Sequence, residues 1–238
     1  MTNQQRSKPR SLRLHQAVAR EIGVGILTGR FPPGQGFGGE IEHSQAFKVS
    51  RTAYREAMRI LVAKGLIESR PKAGTHVTPR AKWNLLDPDL LGWMFSEKPD
   101  ERFVRDLFEL RGIIEPEAAA LAAVRRTDRH VEELSAALEE MRTFGLSTPE
   151  GQEADRNFHH SMLIAAENEA LGALTTTVGS AVQWTTHFKQ RVSESPRDPL
   201  PEHEAVYAAI RDRDSEGARA AMKELLLLAL EDMHLEKA

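Results

Sequence analysis

Residues 40–77 read EIEHSQAFKVSRTAYREAMRILVAKGLIESRPKAGTHV, and this run decides the fold of the amino-terminal part of the chain. Its first eight residues, about 40–47, predict a short helix. Val49-Ser50 breaks that pattern, and Ser50 carries the short side-chain oxygen that caps a second helix running to about residue 64. On that helix Ala53, Ala57, Ile60 and Leu61 are available for a core, while Arg51, Thr52, Arg55 and Arg59 fall on the outward surface. A short helix, a tight turn and a second helix opening on Ser-Arg-Thr is the arithmetic of a helix-turn-helix. After Lys64-Gly65, residues 66–70 and 75–78 read as two strands with Pro71-Lys72-Ala73-Gly74 as the turn, which makes a β-hairpin wing with a basic tip.

Upstream, residues 12–27 place Leu14, Ala17, Val18, Ile22 and Ile26 at spacings of three and four, the pattern of an amphipathic helix. Gly29-Arg30-Phe31-Pro32-Pro33-Gly34 ends it, because proline lacks an amide donor and glycine takes turn conformations. The winged unit is therefore placed at residues 1–79. Residues 80–100 form a connector containing Trp83 and Trp93, too apolar for a flexible linker and expected to pack. From 101 to 238 nearly every segment is helically periodic: about 100–125, 128–144, 150–167, 169–192, 200–213 and 215–235. Six or seven antiparallel helices with short loops make a bundle, and bundles build ligand sites in their cores. The expected fold is mainly α, three helices and a hairpin wing followed by an all-helical bundle.

Charge divides the chain in the same place. Residues 1–80 hold 14 Lys and Arg against 5 Asp and Glu, a balance of +9, whereas the remainder holds 18 against 30, a balance of −12. A basic first third and an acidic remainder point to different partners, the first a polyanion such as nucleic acid. The absence of cysteine excludes disulfides, thiolate metal sites and a cysteine nucleophile, and fits the cytoplasm. The longest apolar run, residues 225–230, is far short of the roughly 18 residues a membrane span needs, and residues 1–10 lack the apolar stretch of a signal peptide.

The run from Phe31-Pro32-Pro33-Gly34 through Glu40, Val49-Ser50-Arg51, Arg55-Glu56-Ala57, Lys64-Gly65-Leu66-Ile67 and Gly74-Thr75-His76-Val77 resembles the winged helix of the GntR family of bacterial transcription regulators. The later part resembles the all-helical FCD effector domain of its FadR subfamily. Glu109-Leu110-Arg111 with Glu115-Pro116, Asp155-Arg156-Asn157-Phe158-His159, Asn168, and Glu202-His203 with Ala209-Ile210 follow that domain's motifs in order. Residues 83–89 further resemble the branch containing sugar-acid regulators of the galactonate type. One departure stands out: where the family commonly has Leu-Pro-Ser-Glu, this chain has Phe37-Gly38-Gly39-Glu40, and His43 occupies a place usually held by leucine. A polar imidazole there is expected to loosen packing, and two glycines to soften the start of the second helix.

Arg51 and Arg55, four apart on one helix face, can fork onto guanine or clamp phosphate, and the resemblance puts both at double-stranded DNA. Ser50 and Thr52 suit phosphate contacts at the helix start, and Arg59 extends the same face. Lys72 and Gly74 of the wing are placed along a groove or backbone. The competing account makes Arg51 and Arg55 ordinary surface residues or partners of Glu56 or Glu40.

Asp155 and His159, also four apart, project from one helix face, and with His203 from a later helix they can hold a divalent metal. The alternatives are direct hydrogen bonding to an effector and a structural polar cluster. In FCD domains resembling this one, an Asp and three His hold a metal such as zinc, but the place of the fourth ligand, 22 residues after His203, is Leu225, which weakens the site. His160, His187 and His234 are poor substitutes. Arg111 suits the effector's carboxylate, with an i,i+4 pair to Glu115 as the rival account, and Asn168 suits either an effector hydroxyl or a helix cap. The resemblance implies a homodimeric repressor, not an enzyme, that binds a DNA operator and a small carboxylate effector, a sugar acid by subfamily, with no membrane partner. The other two readings are a metal-dependent hydrolase of small carboxylates or lactones, for which no nucleophile elbow or zinc-protease helix is present, and a dimeric DNA-binding adaptor that ignores small molecules.

Overall fold

The computed structural model describes residues 10–70 and 74–235, with the side chains of 10–13 not described. The chain folds as two compact units that divide between Met94 and Phe95.

In the first unit, α1 (Arg10–Leu27), α2 (Glu40–Ala46) and α3 (Arg51–Ala63) surround a three-stranded antiparallel sheet. The sheet order is β1 (Gly36–Phe37), β3 (Gly74–Val77), β2 (Ile67–Arg70), with Gly36 opposite His76 and Ile67 opposite Val77. The strand β1 is too short to show a period in the sequence; it exists because β3 offers it an edge. The core joins Val18, Ile22 and Ile26 of α1 to Tyr54 and Leu61 of α3 and to Leu66, Ile67 and Val77 of the wing. Ile60, expected inside, is only half-buried, and Tyr54 takes its share of the core. The turn between α3 and β2 requires Gly65, whose φ is +73° and whose added Cβ would lie 2.2 Å from the carbonyl oxygen of Lys82.

The segment after the wing belongs to this core. Trp83, Leu90 and Trp93 pack in it, and the Trp83 indole donates to the Thr78 carbonyl at 3.1 Å. Lys64, at the end of α3, is buried and held by Asp87 at 2.6 Å and Asp89 at 2.7 Å, beside the start of α4 (Pro88–Phe95). His43 does not loosen the packing. Its Nε2 accepts the Gly38 amide at 2.9 Å and its ring stacks on Tyr54 at 5.9 Å, so the imidazole caps the polar chain before α2 and covers an aromatic face as a leucine cannot.

The second unit is a bundle of seven helices among the described residues: α5 (Glu101–Arg125), α6 (Asp128–Phe144), α7 (Pro149–Ala165), α8 (Glu169–Gly172), α9 (Thr175–Val192), α10 (Leu200–Arg211) and α11 (Ser215–Glu231). Side-chain caps start most of them: Asp100 for α5, a Thr127–His130 capping box for α6, Thr148 for α7 and Asp214 for α11. The single helix expected over 169–192 is two, because Asn168 caps a one-turn helix that closes at Gly172 before α9 begins. The core is built from alanines of α5 with Leu134, Leu138 and Met141 of α6, Phe158 and Met162 of α7, Val206 and Ile210 of α10, and Met222 and Leu226 of α11. No helix among the described residues is long and apolar enough to cross a membrane.

Candidate functional site

Each unit carries one concentration of polar chemistry. In the first, Ser50 caps α3 by accepting the Ala53 amide at 3.1 Å, which fixes the rotation of the helix. Ala53, Tyr54, Ala57 and Leu61 face inward, and Arg51, Thr52, Arg55 and Arg59 are exposed. Arg55 bonds Glu40 of α2 at 3.0 Å with 60% of its side chain accessible, and Arg59 pairs with Glu56 at 2.7 Å. The Arg51 side chain makes no hydrogen bond or ion pair among the described residues. Gly74 opens β3 at φ +76°, exposed, whereas Lys72 lies outside the described residues. The sequence reading missed Glu68 of β2. It gathers Lys82 at 2.9 Å, His76 at 3.1 Å and Arg70 at 2.6 Å, and the hydrogen bonds from Lys82 and His76 pull its carboxyl down to about 2. Part of the wing's positive charge is thereby answered within the fold.

In the second unit, α5, α7, α9, α10 and α11 enclose a cavity of about 30 Å³. Asp155 and His159 of α7 and His203 of α10 meet there, all buried, with one potential ligand atom from each lying within 4.8 Å of the others. Both imidazoles are anchored from behind. His203 Nδ1 donates to the Pro199 carbonyl at 2.8 Å, and His159 Nδ1 donates to Glu115 Oε2 at 2.5 Å. This leaves each ring with its Nε2 turned toward Asp155 Oδ1, at 3.1 Å for His203 and 3.6 Å for His159. His203 Nε2 is a buried atom within ion-pair distance of that carboxylate but without a hydrogen-bond partner among the described residues. Two ring nitrogens and a carboxylate converge, and a proton or a cation between them is what such a set favours. Burial works to raise the Asp155 carboxyl, yet His203, a donor once it takes that proton, acts with His159 and the Thr186 hydroxyl to hold the carboxyl well below the usual carboxylate range.

Glu115 is the residue that sequence reasoning cast only as a possible partner of Arg111. It is wholly buried and bridges Arg111 Nε at 2.6 Å to His159. Burial again pushes its carboxyl up, but the Arg111 guanidinium and then His159 overcome that and bring it to about 2. The signal was present in the i,i+4 spacing from Arg111. Arg111 is therefore both paired and in the cavity wall, its Nη1 reaching Thr185 Oγ1 at 3.4 Å. Asn168 is not brought to the cavity: it is exposed, and its Oδ1 is spent on the Ala170 and Leu171 amides at the start of α8. His160, His187 and His234 are exposed and absent from the lining, whereas Leu225, 2% exposed, is part of it. The missing-ligand position thus faces the cavity with an apolar side chain.

The donor set fits a divalent metal. Two imidazoles with fixed tautomers, each backed by an acceptor, plus one carboxylate is the composition of an open zinc-type site.

Comparison with known proteins matches residues 14–77 to the bacterial regulatory proteins of the gntR family and residues 106–227 to the FCD domain. The galactonate operon transcriptional repressor of Escherichia coli K12 is 33% identical over 202 residues, covering 84% of this chain and 88% of the relative. The HTH-type transcriptional regulator LutR of Bacillus subtilis is 31% identical over 202 residues, covering 83% and 90%. Among solved structures, the Listeria monocytogenes protein Lar shares the fold with a TM-score of 0.63 at 18% identity, over 96% of this chain and 98% of that one. A winged helix with exposed arginines, joined in sequence to a helical bundle with a polar cavity, and kinship over both domains leave one assignment: the chain belongs to the GntR family, in the branch with an FCD domain, and is a ligand-responsive DNA-binding transcription regulator rather than an enzyme.

Proposed function

We propose that this regulator is a homodimeric repressor that grips a pseudo-palindromic operator through two copies of α3 and the wing, and loosens that grip when a small carboxylate enters the bundle cavity. Two-fold symmetry in the protein is then mirrored by two half-sites. Arg51 supplies the free fork for guanine or phosphate, Arg55 and Arg59 exchange Glu40 and Glu56 for phosphates, and Ser50 and Thr52 sit at the helix start against the backbone. Lys72 and Gly74 extend the contact along the wing. The site of action is the cytoplasm, where the operator is.

Asp155, His159 and His203 are the residues that would hold a divalent metal, zinc by donor type. When bound, such an ion supplies a Lewis-acidic point for a carboxylate and a neighbouring hydroxyl. Arg111 contributes the positive charge that draws the acid in, oriented by Glu115. Leu225 limits the protein to three ligands and leaves positions for the effector. Likeness to a galactonate operon repressor supports a sugar acid or a related 2-hydroxy carboxylate. Effector and operator weaken each other by the same factor, about 1 to 3 kcal/mol for typical coupling.

The observation that carries the reading is the buried convergence of Asp155, His159 and His203, with His203 Nε2 3.1 Å from Asp155 and without a hydrogen-bond partner among the described residues. The test is fluorescence anisotropy on duplexes tiled across the region upstream of the protein's own gene, at low ionic strength, with and without zinc and a 2-hydroxy acid, D-galactonate or 2-hydroxybutanoate. A specific complex that weakens on adding the acid with zinc is expected. Indifference of the protein to every fragment overturns the proposal.

A further inference from the structure

The side chains lining the cavity are of two kinds: Arg111, Asp155, His159 and His203 carry charge or lone pairs, and Phe108, Val182, Leu225 and Met233 are apolar. The remaining polar groups around it have partners within the fold. Thr185 donates to the Ala181 carbonyl at 2.8 Å, Thr186 donates to Asp155 at 2.9 Å, and Lys189 Nζ is held by Asp232 and the Arg197 carbonyl, each at 3.2 Å. A guest's carboxylate and adjacent hydroxyl can meet charge and lone pairs in the first set. Most of the rest of the lining is carbon, from Phe108, Leu146, Val182, Leu225, Ala229 and Met233.

Size points the same way. At about 30 Å³ the cavity is a small fraction of an ordinary ligand pocket of about 300 to 1,000 Å³. Room must be made by moving side chains, and Met233, with three flexible torsions, and Leu225 can repack around a short apolar body without stranding a polar atom. A polyhydroxylated chain of the same length instead buries hydroxyls against those side chains with no partner to receive them.

We infer that this cavity selects an acid whose body beyond the carboxylate and 2-hydroxyl is short and apolar, and that Leu225 is the residue setting the preference; the inference rests on the carboxylate reading proposed above. Titration calorimetry of the zinc-loaded, full-length protein with two matched pairs tests it: 2-hydroxybutanoate against threonate, four carbons each, and 2-hydroxyhexanoate against D-galactonate, six carbons each. The apolar member of each pair is expected to bind about tenfold tighter or more, the scale on which a buried apolar pocket discriminates. Leu225→Asn should bring the members of each pair close together, whereas Leu225→Met should keep them apart. Threonate or galactonate binding as tightly as its partner overturns this inference and leaves the carboxylate reading standing. No heat from any of the four acids overturns both. A gap unchanged in Leu225→Asn removes Leu225 from the role assigned to it.

Discussion

The helix α3 and the bundle cavity both concentrate charged side chains, but α3 holds its arginines in water and the cavity holds its ions away from it. Arg55, 60% exposed, is paired with Glu40 at 3.0 Å; Arg111, 5% exposed, is paired with Glu115 at 2.6 Å. The geometry is nearly the same and the consequence is opposite. An exposed pair is worth little and exchanges readily for a phosphate, whereas breaking a buried pair leaves an ion without solvent or partner. A DNA-binding surface has to give up its internal contacts on binding. A ligand site has to keep its groups fixed while it waits.

The contrast breaks first at Glu115. Glu115→Ala strands Arg111 and frees the His159 ring, and should cost about 3 to 5 kcal/mol of stability by urea denaturation. Glu115→Gln, which still accepts a hydrogen bond, should recover part of that. A loss within the range of ordinary surface substitutions in Glu115→Ala means that Arg111, Glu115 and His159 do not form a buried unit.

Tyr54 offers a pH-dependent test within the first unit. Burial and then the charge of Glu40 raise its phenol from 10.0 to about 12, so the folded state favours the protonated form. That stability is complete below pH 10 and is lost as pH rises toward 12. The chain has two tyrosines, so ultraviolet titration of Tyr207→Phe reports Tyr54 alone. A midpoint near 10 shows the ring to be solvated.

On the exposed face, Arg51→Ala should weaken specific operator binding by about 1 to 3 kcal/mol in an anisotropy titration while leaving thermal stability unchanged. Unchanged operator affinity places the recognition surface elsewhere. The smallest effect is expected from Glu40→Gln: stability within about 1 kcal/mol of the parent, and operator affinity a little higher at low salt because Arg55 no longer has a carboxylate to leave. A large stability loss there would erase the distinction between the two regions.

Much of this was legible in the chain. The cap at Ser50, the outward set Arg51, Thr52, Arg55 and Arg59, the wing strands and most bundle helices follow from spacing and turn residues, because each depends on neighbours within a few positions. Asp155 and His159 were readable as a pair for the same reason. His43 misled because the sequence displays a polar ring but neither the Gly38 amide nor the Tyr54 face that receives it. Asn168 carried two local meanings, and only its backbone partners chose between them.

What the sequence by itself determined is local: helices, caps, the hairpin and the side chains that share one face. What only the tertiary structure decided is which distant groups lie out of water together. His203 comes 44 residues after His159 and Leu225 lies on a further helix, yet all three line one cavity, and Glu115, 44 residues before His159, bonds that imidazole from behind. Short-range preference sets the direction in which a side chain leaves its helix, but burial, and with it the strength of every charge in the cavity, exists only once the helices have packed.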